Sequence, residues 1–255
     1  MHSAAKADDN RAQYRSAIRR FEVAAKVSIT AADALYNWGN VLFDLSLAVR
    51  DGAPEVMTRS AEQLLRRAVV KYRDAIAKDP SFADAHNNLA NALTDLARVE
   101  YPRNDDGMLR EAFEHYEKAI QRTQTPDIVH CNYAKAVHDL ARITGDLRLY
   151  KKSSTHFKIA ANFNPNYYSV FLSWGHALSD LARKTGSAKD YTAAFEKYRR
   201  AAEIDPTDTA ALHSWYYALL ELVNRSKGSK KGALIEQAES VSREQQRRRR
   251  RQMRN

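Results

Sequence analysis

Apolar residues recur at spacings of three, one, three, three and one in five stretches of this chain: LYNWGNVLFDLSL from Leu35, HNNLANALTDLAR from His86, HCNYAKAVHDLAR from His130, FLSWGHALSDLAR from Phe171 and LHSWYYALLELVN from Leu212. Each stretch draws a single stripe down a helix of 3.6 residues per turn. Leu35, Trp38, Gly39, Leu42 and Leu45 make the first stripe; Phe171, Trp174, Gly175, Leu178, Leu181 and Ala182 make the fourth. Gly39, Ala90, Ala134 and Gly175 share a column, where a small side chain lets a neighbouring helix come close. Tyr216 breaks that column in the last stretch, as suits a terminal repeat.

A second helix is predicted after each of the first four. Its signature is a small residue, an aromatic four later and Ala three later, usually followed by Asp-Pro or Asn-Pro: Ala68, Tyr72, Ala75 and Pro80; Ala112, Tyr116 and Ala119; Ser153, Phe157, Ala160 and Pro165; Ala194, Tyr198, Ala201 and Pro206. Each proline stops its helix and turns the chain into the next copy. With these positions together, the pattern resembles the tetratricopeptide repeat over roughly residues 11–225. The resemblance implies an all-α, right-handed superhelical solenoid of antiparallel helix pairs.

The repeat length departs from that family. Trp38, Leu89, Tyr133, Trp174 and Trp215 are 51, 44, 41 and 41 residues apart, against about 34 in the usual unit. The surplus falls between the helices of a pair, at 50–59, 99–108, 143–151 and 184–189, and is expected to lengthen the helices and form a ridge of loops. Ala17, Phe21 and Ala24 repeat the second-helix signature, so the array opens on half a repeat: a cap helix over 11–28 after a disordered 1–10. About five repeats over 31–225 follow, then a C-terminal capping helix over 232–242 and a basic tail over 243–255. A solenoid end needs a polar outer face, which Arg11, Arg15, Arg19 and Arg20 supply.

Composition agrees with long helices and short loops: 44% of the 255 residues are hydrophobic and 28% charged, with only 8 Gly and 6 Pro. Of the net charge of +10, the tail supplies most, carrying seven Arg against one Glu. Cys131 is the sole cysteine, which excludes an intrachain disulfide and a four-cysteine zinc site. The N-terminus lacks the apolar stretch of a secretory signal, and no run of about 18 apolar residues could span a bilayer. These features suit a soluble intracellular protein, most simply cytoplasmic, with the nucleus or an organelle interior also open.

Opposite the apolar stripe, the first helices carry a polar ladder. Asn37, Asn40 and Asp44 recur as Asn88, Asn91 and Asp95, then Asn132, Lys135 and Asp139, then Ser173, His176 and Asp180, and last Ser214, Tyr217 and Glu221. The resemblance implies that first helices line a concave groove, which places these columns beside a ligand. Asn donates and accepts at once, as recognition of an extended segment requires, and a column of acids favours a basic partner. The alternative is a solvated or inter-repeat role, since Asp95–Arg98, Asp139–Arg142 and Asp180–Arg183 have helical i,i+3 spacing.

Some tetratricopeptide proteins clamp the C-terminal carboxylate of heat-shock chaperones with two Lys, two Asn and one Arg. Asn40 and Asn88 match two of those positions, but Tyr36, Ile128 and Asn132 stand where the cations belong, so that partner is not expected. Five consecutive residues, Arg247, Arg248, Arg249, Arg250 and Arg251, spread charge around the whole helix and point to RNA, to an acidic protein, or to nothing beyond a solvated end. Without interleaved aromatics they would grip phosphates and read no bases.

Chemistry is sparse. His130 and His138 lie two turns apart, too far to share a metal unaided. Cys131 reads as a partly buried thiol, and Trp38, Trp174 and Trp215 as core. No phosphate loop, HExxH, GxSxG or paired-cysteine motif occurs. The expectation is a non-catalytic adaptor without cofactor or metal, holding an extended or helical segment of another protein. A subunit of a ribonucleoprotein or other large assembly is the alternative.

Overall fold

The computed structural model describes residues 31–50, 59–100 and 107–253, together with 16, 19–21 and 23. Those five N-terminal positions are helical; the rest of the expected cap helix, residues 1–10 and the inserts at 51–58 and 101–106 lie outside the described residues. The described chain is all-α. Its helices are α1 (Ala31–Arg50), α2 (Arg59–Lys78), α3 (Ala83–Glu100), α4 (Gly107–Ile120), α5 (Pro126–Thr144), α6 (Leu147–Phe163), α7 (Tyr168–Thr185), α8 (Ala188–Ile204), α9 (Ala210–Arg225) and α10 (Gly228–Gln252).

The chain divides into two compact units, residues 1–125 and 126–255. In the first, α1 pairs with α2 and α3 with α4, and α2 joins the pairs by packing on α3. In the second, α5 pairs with α6, α7 with α8 and α9 with α10, joined through α6–α7 and α8–α9. The helix over 232–242 expected as a cap is therefore part of α10, the second helix of the last pair, and it runs on through the arginines to Gln252.

Extra length has gone into the helices. Only Gly145 and Asp146 separate α5 from α6, and only Gly186 and Ser187 separate α7 from α8, so these two pairs carry no ridge of loops. Both glycines sit at left-handed φ, 72° and 73°, where a side chain would be strained. Asp146 and Ser187 then cap the following helix by accepting from Arg148 N and Asp190 N.

The turns between pairs share one device. Asp79 Oδ1 accepts from Ser81 N at 2.8 Å, Asn164 Oδ1 from Asn166 N at 3.2 Å and Asp205 Oδ1 from Thr207 N at 2.9 Å, each across the intervening proline. Thr123 Oγ1 does the same for Thr125 N at 3.0 Å.

The core follows the stripe and the aromatic column. Tyr72, Tyr116, Phe157 and Tyr198 are each at most 2% exposed. Gly39 and Gly175 are required by the closeness of these rings, since a Cβ at either would stand 2.5 Å from Cε1 of Tyr72 or Tyr198. The three tryptophans are not full core. Trp38, Trp174 and Trp215 are half-buried, and their indole Nε1 atoms are enclosed without a hydrogen-bond partner. Lys71 lies over Trp38 at 4.7 Å and Lys197 over Trp174 at 4.2 Å, closing the exposed ring faces.

Candidate functional site

In the first unit, the ladder asparagines fall on α1 and α3 at positions that second-helix tyrosines reach. Tyr72 donates its hydroxyl to Asn40 Oδ1 at 2.9 Å, and Tyr116 donates to Asn91 Oδ1 at 2.7 Å. Asn88 Nδ2 crosses from α3 to α1, donating to Asn40 Oδ1 at 2.9 Å and Tyr36 Oη at 3.1 Å. These amides are therefore oriented before any ligand arrives.

Asn40, Asn88 and Asn91 border an open cleft of about 280 Å³ with Phe43, Asp44 and Tyr72. Desolvation pushes the Asp44 carboxyl above its ordinary range, with no cation among the described residues to pull it back. The site thus combines an apolar ring, prearranged amides and an acid open to a basic group. Asn37, also on α1, is half-buried but does not line the cleft, whereas Asp95 on α3 is held by Arg98 at 2.6 Å. Tyr72 escaped the sequence reading because it belongs to the aromatic pattern of the core, and Phe43 because it is an apolar residue off the stripe, beside the polar ladder.

In the second unit, the ladder mostly ties neighbouring first helices together. Lys135 donates to Ser169 Oγ at 2.9 Å and stands where Asn40 and Asn91 stand in the first unit; the second-helix aromatic here is Phe157, without a hydroxyl. His176 Nε2 meets Ser214 Oγ at 2.9 Å. Asp180 is surrounded by His138 Nε2 at 2.9 Å, Arg183 Nη1 at 2.6 Å and Arg142 Nε at 3.7 Å. Although burial opposes it, these donors hold the Asp180 carboxyl below its usual range. Glu221 takes Arg183 Nη2 at 3.0 Å and the Tyr191 hydroxyl at 3.1 Å. Asn132, Asp139, Ser173 and Ser214 are half-buried, while Tyr217 is exposed and packs its ring against His213.

Four histidines, of which sequence reasoning weighed only His130, and that beside His138, form two matched pairs. His86 Nδ1 and His115 Nδ1 are 2.7 Å apart between α3 and α4; His130 Nδ1 and His156 Nδ1 are 3.0 Å apart between α5 and α6. The available signal was the residue before the second-helix aromatic, which runs Lys71, His115, His156, Lys197. Lysine there covers a tryptophan; histidine meets a histidine. His86 Nε2 also reaches Pro80 O at 3.2 Å, so in the neutral pair Nε2–H donates to that carbonyl, and His86 Nδ1 accepts from His115 Nδ1–H.

His130 and His138 consequently serve different neighbours, and among the described residues no group of three or more His, Cys, Asp or Glu could hold a metal ion. Cys131 is fully buried, further than its sequence reading suggested, and burial pushes its thiol up and away from the reactive thiolate.

The arginine run is sorted rather than spread around its helix. Leu234, Ala238, Val241 and Gln245 form the buried side of α10, and Arg248 continues it. Arg248 Nε donates to Glu244 at 2.8 Å and Nη1 to Ala202 O at 2.9 Å, while Gln252 Nε2 donates to Thr207 O. Arg247, Arg249, Arg250 and Arg251 remain exposed.

Residues 12–169, more than half of the chain, match the family described as plant-specific mitochondrial import receptor subunit TOM20. Among solved structures, YrrB, described as a TPR protein with an unusual peptide-binding site, is similar at 17% identity and a TM-score of 0.55, covering 87% of this chain and 91% of its own. MamA is similar at 14% identity and a TM-score of 0.55, covering 78% and 96%. TTC0263, a thermophilic TPR protein of Thermus thermophilus, shares 15% identity at a TM-score of 0.51, covering 80% and 98%. At these identities the structural matches establish the tetratricopeptide fold. No curated protein matches the chain in sequence. Among the described residues no helix is long and apolar enough to cross a membrane.

Proposed function

Since the chain belongs to the plant-specific mitochondrial import receptor subunit TOM20 family, we propose that it is a non-catalytic receptor that holds a segment of a protein destined for the mitochondrion on the first-helix face of residues 31–125. The observation that carries this reading is the cleft beside Asn40. Its amides are fixed by Tyr72 and by one another, Phe43 offers an apolar contact, and Asp44 offers a carboxylate. A segment presenting an apolar side chain beside a Lys or Arg matches that set. Prearranged amides lower the entropy lost when such a segment is captured. The ladder of residues 126–255 supports the reading by contrast, because Asp180 and Glu221 are occupied by cations of this chain.

The test is site-specific photo-crosslinking in the full chain, with benzoylphenylalanine at Phe43 or at Val70, which is exposed on α2. Mitochondrial precursor proteins should crosslink at position 43 and not at 70, and Asp44→Lys should reduce capture of a basic segment by roughly 10-fold, about 1.4 kcal/mol. Equal crosslinking at the two positions, or capture indifferent to Asp44→Lys, would remove the cleft from the proposal.

A further inference from the structure

The side of α10 turned away from the protein carries an arrangement that receptor function does not use. Arg243, Arg247, Arg250 and Arg251 fall at i, i+4, i+7 and i+8, which is one stripe of a helix about 12 Å long. With Gln246 they flank about 470 Å³ of open space between their own side chains. The opposite side is anchored by Leu234, Ala238, Val241 and Gln245 and by Arg248 on Ala202 O, so the stripe is held in place. Arg243 and Arg247 side chains are 70% and 66% exposed and, among the described residues, pair with Glu239 and Glu244 of their own helix, at 3.4 and 3.9 Å. Arg250 and Arg251 have no ion-pair partner among the described residues.

We propose that this stripe is an electrostatic docking face for the phosphate headgroups of an anionic membrane surface. Every cation in it is arginine, whose flat fork can give a phosphate two parallel hydrogen bonds. A ridge on one solvent-facing helix lies tangent to a plane, so all four guanidinium groups can reach a bilayer together. A folded acidic protein would need a matching concavity. Single-stranded RNA would be gripped through its phosphates alone and would gain no base stacking, since the stripe holds no aromatic platform. Among the described residues, Ile235 on this helix and Met253 just after it are the exposed large apolar side chains, so adsorption through the stripe is electrostatic.

Each arginine close to an anionic surface strengthens adsorption roughly fivefold. The experiment is co-sedimentation of the full chain with vesicles of phosphatidylcholine, with and without one-third phosphatidylserine, at low and high salt. Adsorption is expected only on the anionic vesicles and is expected to disappear at high salt. The double variant Arg250→Gln/Arg251→Gln, which breaks no side-chain ion pair among the described residues, should lose about 25-fold. Lys230→Gln/Lys231→Gln removes equal charge from the other end of α10 and should lose far less.

Binding to neutral vesicles, no binding to anionic ones, or equal losses from the two double variants would overturn the proposal. So would tighter, Arg250- and Arg251-dependent binding to single-stranded RNA or polyglutamate at matched salt, which would assign the stripe to those polymers. Because the cleft beside Asn40 takes no part, loss of vesicle binding leaves precursor crosslinking at position 43 unchanged.

Discussion

Gly175→Ala is expected to destabilise the protein by about 2 kcal/mol, although alanine is the better helix former. In an open helix this exchange stabilises by about 1 kcal/mol. Here the added Cβ would stand 2.5 Å from Cε1 and 2.6 Å from Cδ1 of Tyr198. The ring cannot easily yield, being 2% exposed, with its hydroxyl 3.2 Å from Ser179 Oγ. Overpacking of this kind costs about 1–3 kcal/mol and outweighs the propensity gain. Gly232→Ala is the control: it lies within α10 with no atom within 4 Å of its added Cβ, and it should stabilise by up to about 1 kcal/mol. Urea unfolding of both variants measures the difference. A stable Gly175→Ala protein with unshifted midpoint would mean that α7 and α8 do not approach as closely as Tyr198 indicates.

That glycine column was legible in the sequence because it repeats with the apolar stripe, and the helix pairs were legible for the same reason. The polar ladder was harder. A period of 3.6 puts a ligand-facing residue and a residue reaching the next helix on the same face, so Asn40 and Asp180 look alike along the chain. What separates them is the partner: Tyr72 lies 32 residues beyond Asn40, and His138 lies 42 residues before Asp180. The arginines were hard to sort for a related reason. Five consecutive cations carry no period of their own; the phase of Leu234, Ala238 and Val241 decides that Arg248 turns inward and its neighbours outward. Of the two expectations for the longer repeat, longer helices are found, but the ridge of loops is absent from two of the pairs, because Gly145 and Gly186 let the chain turn in two residues.

The histidine pairs are expected to make the protein acid-sensitive above the pH range in which Asp180 takes up its proton. Burial is the main force holding His115 down, to about 4 from 6.5, assisted by His86, Lys118 and Arg73 and opposed by Glu111. His86 is lowered by burial and by Lys118 and Arg122, against the pull of Pro80 O and Asp79, and His130 is lowered by burial. Folded histidines of depressed pKa bind fewer protons than unfolded ones. Their stabilising contribution is therefore complete above about pH 6.5 and is lost as pH falls toward 4.

Geometry gives the reason, since a second proton on either Nδ1···Nδ1 contact places two N–H groups 2.7–3.0 Å apart with no acceptor between them. The expected loss is about 2 kcal/mol between pH 7 and 4.5, measured as the fall in urea midpoint. His86→Asn/His115→Gln should flatten much of that fall while lowering stability at pH 7 by about 1 kcal/mol. An acid limb identical to that of the parent protein would show that the pair does not govern it. Below pH 4 the weight passes to carboxylates such as Asp180, whose lowered pKa withdraws its support only there. The double variant is expected to alter the upper regime and to leave the Asp180 regime in place.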